Sequence, residues 1–454
     1  ELGIESPGEL IYACEENRLI HYKGFGEKSQ QSICEACTYY VQNQNRFLYA
    51  SIEPIVLSLK HFLHTIFEED KIAITGAFSR QEDIIDTIEV VVQYSEEEMV
   101  ETLSPHASLD FVLEEDGVLF YTLNKHIPVQ FILAEEESFL QTAFYTRNTA
   151  EFNDAFDECI EDVDFTTIQD ANEEEIFEQI GIPYIPACLR HSALSIELAK
   201  KNQLPQLITV EDIKGIIHNH STWSDGAFSI EEMANACIQK GFEYLVMSDH
   251  SVSSFYANGL QEERILLQHE EINTLNKKLH PFKIFKSIEC DILGDGRLDY
   301  NDTVLASFDL VIASIHQHLK MTEEKAMQRL LGAIQHPATR ILGHPSGRLL
   351  LSRKAYPVNY KVLLDACKEY DVVIEINANP RRLDIDWQWI QYAIQQGVLL
   401  SINPDAHSIK GIDDIRYGVL SAQKGFLTAA SNLSSYSLFE FEEFLLRKKQ
   451  KTNL

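Results

Sequence analysis

Short, unbroken apolar runs recur through the second half of this chain, and each is followed closely by a polar residue. Tyr244–Met247, Leu310–Ala313 and Val398–Ile402 are examples. An uninterrupted apolar run reads as a parallel strand buried on both faces, because an antiparallel strand with one wet face alternates. The residue just after such a strand lands on one rim of a barrel or sheet. The first half is patterned differently. Residues 1–60 read as short helices, one of them opening at L-G-I-E-S-P-G-E-L with Ser6 as N-cap and Pro7 in the first helical position. The string K-G-F-G-E-K-S, Lys23 to Ser29, reads as a Gly-x-Gly turn between two helices.

The polar residues that follow the apolar runs are of a kind. His218 and His220 lie in G-I-I-H-N-H-S-T-W-S-D-G with Asp225, His250 in V-M-S-D-H-S, and Glu289 in S-I-E-C-D. His316 lies in I-A-S-I-H-Q-H, His344 in L-G-H-P-S-G-R, and Asp405 and His407 in I-N-P-D-A-H-S. The spacing of two in His218–Asn219–His220 predicts both imidazoles on one side of a strand. A single H-x-H pair says little. Nine such residues, most after a strand-like run, predict a rim that holds more than one divalent cation. Imidazoles dominate the set, which favours Mn, Zn or Fe over Mg. Arg348 and Arg381 follow rim motifs and are candidates to grip phosphate oxygens, with a surface ion pair as the alternative for each. His318 lies two residues beyond His316 and reads as substrate-side or exposed.

Residues 212–454 resemble the polymerase and histidinol phosphatase (PHP) domain, in the version fused to bacterial and archaeal family X DNA polymerases. The strings that carry the resemblance are D-I-K-G-I-I-H-N-H-S-T-W-S-D-G, S-I-E-E-M-A, G-F-E-Y-L, S-D-H-S, G-H-P-S-G-R, E-I-N-A-N-P-R-R-L-D-I-D-W and D-A-H-S. The resemblance implies a distorted (β/α)7 barrel with a trinuclear metal centre. His218, His220, Glu289 and Asp405 would hold one ion. Glu289 would bridge to a second, held with His316 and His344, and Asp225, His250 and His407 would hold the third. Glu289, His316, Arg348 and Arg381 would serve catalysis. The implied activity is a metal-dependent phosphoesterase, a 3′–5′ exonuclease acting on DNA ends in repair. A small-molecule phosphomonoesterase of the histidinol-phosphatase kind, and a DNA-end scaffold or residual polymerase, are the alternatives.

The N-terminal half is similar to the rest of such a polymerase, with departures. The fold expected is multidomain α/β and α+β: a helix-hairpin-helix over 1–60, a degenerate palm and thumb over 61–190, a linker over 191–211, then the barrel. In I-T-G-A-F-S-R, Ala77 stands where the family has the Ser of its nucleotide-phosphate motif. Thr87, Glu89 and Gln130 fall where the family has three metal-binding Asp residues. Two Mg²⁺ ions need clustered carboxylates, so primer extension is expected to be lost. Asp86 is adjacent, and alternation should turn it to the opposite face.

Charge and composition sharpen this division. Residues 1–210 hold 12 Lys and Arg against 39 Asp and Glu, a net of −27, whereas residues 211–454 carry only −5 of the chain's −32. Duplex DNA is bound by neutralising phosphates with Lys and Arg, so weak duplex binding is expected of the acidic half. A length of 454 residues predicts two to four domains. No apolar run approaches the ~18 residues of a membrane span, and no signal peptide is visible. Eight Cys without a framework pattern fit a reducing cytoplasm. Cys34 and Cys37 lack the second pair of a zinc ribbon and read as a helix face, and Cys290 as a small buried residue. The chain opens at Glu1 without Met, so further residues are expected before it.

Overall fold

A computed structural model describes residues 4, 6–160 and 173–451. Leu2, Gly3 and Glu5 of the opening motif, and residues 161–172 of the acidic stretch, lie outside the described residues. The chain divides into two units: Glu1–Asn202 with Leu349–Lys354, and Gln203–Arg348 with Ala355–Leu454.

In the first unit, helix Pro7–Glu15 opens on Ser6, which caps the Glu9 N–H while the Glu9 carboxylate accepts from Ser6 N–H. Helix Glu27–Gln42 follows the Gly24–Gly26 turn and carries Cys34 and Cys37, both free thiols. Strands β1 (Phe47–Leu48) and β3 (Ile84–Ile85) pair antiparallel. Strands β2 (Ile72–Ile74), β4 (Ile88–Val92), β5 (Leu109–Glu115), β6 (Val118–Leu123) and β7 (Ile127–Leu133) form a mixed sheet in the order β2-β4-β7-β6-β5, with β4 and β7 parallel.

Two boundaries differ from those expected. Helix Tyr49–Ile66 runs across position 60, because Ile52, Val56, Leu59 and Leu63 bury the same face against this sheet. Within 191–211, Ala193–Lys200 is helical with Ile196 and Ala199 buried, whereas Ile208 sits in the core of the second unit.

The second unit is a seven-stranded parallel barrel, nearly closed. Its strands are β8 (Gly215–Asn219), β9 (Tyr244–Met247), β10 (Lys283–Asp291), β11 (Leu310–Ser314), β12 (Thr339–Leu342), β13 (Val373–Asn377) and β14 (Leu400–Asn403), paired in sequence order. A parallel bridge between Asn219 and Ala406 brings its two edges together. Alternate residues divide between two cores. Ile216, Leu245, Val311 and Ile374 join the layer shared with the surrounding helices. Ile217, Val246, Ile312 and Val373 form a separate interior cluster with Leu433, Phe441 and Leu445. Phe441, from helix Leu438–Lys451, stacks on Tyr244 with ring centroids 4.6 Å apart. Gly215 allows this packing, since a Cβ there would lie 2.0 Å from the Tyr244 ring. Among the described residues, no helix is long and apolar enough to cross a membrane.

Candidate metal centre

The nine candidate ligands converge on the rim at the C-terminal ends of the barrel strands. His218 belongs to β8 itself, Glu289 to β10, and the others sit in the loops that follow a strand. The two histidines of H-N-H do meet, with ring centroids 5.4 Å apart, but simple alternation is not the cause. The β8–β9 register shifts between Ile216 and Asn219, and His218 has a φ of 65°. His344 and Asp405 also adopt positive φ, 23° and 52°. Non-glycine residues in this region carry strain, which persists only where surrounding structure imposes it. Here it is imposed at three ligand positions at once.

Glu289 is the hub. Its Oε1 lies 3.2 Å from His218 Nε2, 3.0 Å from His316 Nε2 and 2.9 Å from His344 Nε2. Its Oε2 lies 2.9 Å from His250 Nδ1 and 3.7 Å from His220 Nε2. Asp405 Oδ1 approaches His220 Nε2 at 3.1 Å and His218 Nε2 at 3.6 Å. On the outer side, Asp225 lies 3.4 Å from His407 Nε2 and 3.6 Å from His250 Nε2. Four sets have donor atoms close enough to share an ion: His220–Asp225–His250–His407, His218–His220–Glu289, His218–His344–Asp405 and His250–Glu289–His316. The last three are almost wholly buried. The first opens to solvent, with the Asp225 and His407 side chains 35% and 41% exposed.

Around this cluster stands a ring of residues that sequence reasoning did not assign. Glu375, buried on β13, accepts from His218 Nδ1 at 2.6 Å and from the His344 N–H at 2.7 Å. Asp291 pairs with His316 Nδ1 at 2.9 Å. Each carboxylate fixes the ring so that Nε2 faces Glu289. Asp249 accepts from the N–H and hydroxyl of Ser221 and of Ser224, and from Gln268, and so ties down the loop that carries Asp225. Asn377 donates to Asp405 Oδ2 at 3.1 Å. A signal for Asp291 was available: it lies two residues from Glu289 on the same strand, hence on the same face.

The arginines are placed differently from expectation. Arg348 is spent on the scaffold: its guanidinium donates to Asp386 Oδ2 at 2.5 Å and to the carbonyls of Arg382 and Leu383. Arg381 is exposed, and its backbone N–H donates to Asn379 Oδ1. The neighbouring Arg382 is the one that reaches the cluster, with Nε 3.4 Å from Asp405 Oδ2. The pair Arg381–Arg382 lies in a loop, where no periodicity tells which of two adjacent side chains turns inward.

Electrostatics bear on whether cations fit. Glu289, Asp405 and Glu375 are buried, which alone would raise their carboxyls, yet the facing histidines hold all three down. In return His218 and His316 are driven well above the usual imidazole range by the carboxylates, against the opposing effect of burial. Burial, with His407 and His250 nearby, lowers His220 to about 3. Buried charge of one sign needs a counter-charge, and here these imidazoles and Arg382 supply it. His218 Nε2, His220 Nδ1, His250 Nδ1 and Glu289 Oε2 are all buried without a hydrogen bond among the described residues. Imidazole nitrogens and carboxylate oxygens left so, at these separations, are the donor set that divalent transition metals take. The residues present fit metal ions.

The aligned polymerase-type positions in the first unit look different. Glu89 and Gln130 pair across β4 and β7. Thr87 Oγ1 donates to the Pro128 carbonyl at 3.3 Å, and Asp86 points to solvent, bonded to Arg46 Nε at 2.7 Å. Gly76, with a φ of 65°, leaves the space that the Glu89 carboxylate fills, since a Cβ there would lie 2.3 Å from it. Burial raises the Glu89 carboxyl, partly opposed by Arg80 and the Ala77 N–H.

Comparisons with known proteins show what the chain is similar to. A family profile described as the PHP domain matches residues 217–379. The chain is 33% identical over 464 aligned positions to the DNA polymerase/3′-5′ exonuclease PolX of Bacillus subtilis, covering 98% of this chain and 81% of that protein. It is 30% identical over 165 residues to Probable phosphatase TTE1963 of Caldanaerobacter subterraneus subsp. tengcongensis, covering 35% of this chain and 60% of that protein. Among solved structures, the histidinol phosphate phosphatase of Lactococcus lactis, complexed with zinc, L-histidinol and phosphate, matches at a TM-score of 0.34 and 18% identity, covering 47% of this chain and 94% of that one.

Proposed function

The chain belongs to the PolX family of DNA polymerase/3′-5′ exonucleases, and we propose that its barrel is a metal-dependent phosphoesterase that trims DNA 3′ ends, attached to a polymerase module that does not extend primers. The observation that carries the reading is the buried convergence of His218, His220, His250, His316 and His344 on Glu289 and Asp405, with His218 Nε2, His220 Nδ1, His250 Nδ1 and Glu289 Oε2 left without a hydrogen bond among the described residues.

His218, His220, Glu289 and Asp405 would hold one ion; Glu289, His316 and His344 a second; Asp225, His250 and His407 a third. Mn, Zn or Fe suits these donors. Bound divalent ions supply Lewis acidity, acidifying water and offsetting the charge of a phosphoryl group. The chain's own residues do the rest. Glu375 and Asp291 hold the Nδ1 protons of His218 and His316, so that both Nε2 lone pairs point inward. Arg382, beside Asp405, is the guanidinium placed to take a non-bridging phosphate oxygen. Asp225 and His407 are 35% and 41% exposed on the outer side of the cluster, and that solvent-facing side favours a DNA end over a small phosphomonoester enclosed by the rim. In the first unit, a single carboxylate at Glu89, already seated against Gly76, leaves two Mg²⁺ ions without a cluster.

The test is elemental analysis of the purified protein, followed by assays on 5′-labelled single-stranded DNA and on p-nitrophenyl phosphate. About three ions per chain and stepwise 3′ shortening are expected, with Glu289→Gln losing more metal than any single His→Ala change. Less than one ion per chain after incubation with Mn²⁺ or Zn²⁺ overturns the reading.

A further inference from the structure

The loop that follows His250 presents two aromatic side chains to solvent. Phe255 is 81% exposed and Tyr256 60% exposed. They sit on the single turn Phe255–Ala257, with ring centroids 6.0 Å apart at 79°. Exposed aromatics on a loose loop carry little meaning, but this loop is fastened on both sides of its tip. Ser253 donates its backbone N–H to Asp299 Oδ2 at 2.6 Å, its hydroxyl also donates to Asp299, and its carbonyl accepts from Gln317 Nε2 at 2.8 Å. Ser254 Oγ donates to Asp291 Oδ2 at 2.5 Å. Beyond the tip, Leu260 N–H donates to the His250 carbonyl at 2.8 Å, and Asn258 Nδ2 reaches the Trp223 carbonyl at 3.3 Å.

Asp291 is the link that matters. Its other oxygen holds His316 Nδ1, so one carboxylate orients a candidate ligand and anchors the residue just before Phe255. Phe255 and Asp291 also line one cavity of about 330 Å³, together with Ser253, Gln317, His318 and the buried Arg329. That cavity adjoins the rim where the ligand cluster lies. A solvent-exposed aromatic face on a loop anchored by hydrogen bonds beside a phosphate-handling centre has the form of a base-stacking platform. Such stacking tolerates every sequence, because every base has a π-face.

We propose that Phe255, flanked by Tyr256, stacks the base of the 3′-terminal nucleotide of single-stranded DNA and so positions the terminal phosphodiester at the metal cluster. Phe255 is a positioning residue, and the inference rests on the phosphoesterase reading above. It makes the enzyme selective for ends that carry a base.

The experiment compares 3′ trimming of two oligonucleotides, one with a normal 3′ terminus and one ending in an abasic sugar, by the full chain and by Phe255→Ala and Phe255→Trp. The expected result is that Phe255→Ala lowers the normal-to-abasic ratio of kcat/KM by about tenfold, equivalent to 1.4 kcal/mol, chiefly through KM, while Phe255→Trp keeps it. A second readout needs no turnover. In EDTA, 2-aminopurine at the 3′ terminus should be quenched on binding the parent protein and remain bright with Phe255→Ala. If the parent trims both substrates at equal efficiency and Phe255→Ala leaves the ratio and the quenching as they were, stacking is wrong and the phosphoesterase reading stands. If the parent trims neither substrate when loaded with metal, the reading beneath it fails as well.

Discussion

Replacing Glu375 with Gln probes whether the second ring of carboxylates makes the centre competent. Four donors converge on the two Glu375 oxygens. His218 Nδ1 and Asn403 Nδ2 approach Oε1 at 2.6 and 2.8 Å, and the His344 N–H and Asn377 Nδ2 approach Oε2 at 2.7 and 3.3 Å. A Gln amide accepts on one side only, so its NH₂ must face two of these donors. An Asn amide that turned its oxygen to the new NH₂ would give up other bonds, Asn377 its donation to Asp405 and Asn403 its acceptance from Ser401. The His344 backbone N–H cannot turn, and leaving it unpaired costs about 1–3 kcal/mol. If the NH₂ faces His218 instead, the imidazole can respond only by moving its proton to Nε2, which removes the lone pair aimed at Glu289. Either choice damages the site: one through stability, the other through metal affinity, for which loss of such a partner typically costs about 10–100-fold. Competition against a metal-sensitive chelator, paired with thermal unfolding in EDTA, separates the two routes. A Glu375→Gln protein that binds metal within twofold of the parent and melts at the same temperature refutes the reasoning.

Further outcomes follow from the same geometry. Arg382→Ala should lower turnover on single-stranded DNA by tenfold or more, whereas Arg381→Ala should stay within twofold; the reverse order in steady-state assays would return the phosphate contact to Arg381. Burial, with Asp413 adding to it and Lys410 opposing, raises the Asp414 carboxyl to about 6. The folded state keeps this proton when the unfolded chain has lost it, so the group's contribution to stability falls as pH rises from about 4 to 6 and stays at that lowered level above. Asp414→Asn should therefore raise the melting temperature at pH 7.5, with the gain fading towards pH 4, and a gain independent of pH would exclude this origin. Gapped-primer extension with Mg²⁺ or Mn²⁺ should give no product, and robust extension that disappears in Glu89→Ala would show the polymerase module alive.

Much of the barrel was legible because burial on both faces leaves unbroken apolar runs, and because strand ends deliver their next polar residue to one rim. Strand-like runs ending just before His250, His316 and Asp405 are what mark those positions as candidates. Glu375 was harder: it sits inside V-I-E-I-N, where three of the four donors to its buried carboxylate lie 28 to 157 positions away in sequence. The positive φ of His218, His344 and Asp405 has no local signature, since neither His nor Asp requires it. Arg382 lost to Arg348 and Arg381 for a similar reason, as loop geometry decides which guanidinium turns inward. Helix Tyr49–Ile66 crosses position 60 because its sheet-facing stripe continues through it, which the reading of short helices over 1–60 did not separate.

Phe441, Leu445 and Leu433 close the floor of the barrel over Ile217, Val246, Ile312 and Val373. Protein synthesis is vectorial, and these sealing residues emerge only after every strand they cover. A nascent chain that has reached position 430 therefore owns all seven strands and an open, greasy well at their base. Such an intermediate is a natural client for chaperones that shield apolar surface. A premature stop between residues 430 and 440 would leave every candidate ligand intact and still yield an aggregating product, lost at the ribosome's exit and not at the catalytic rim.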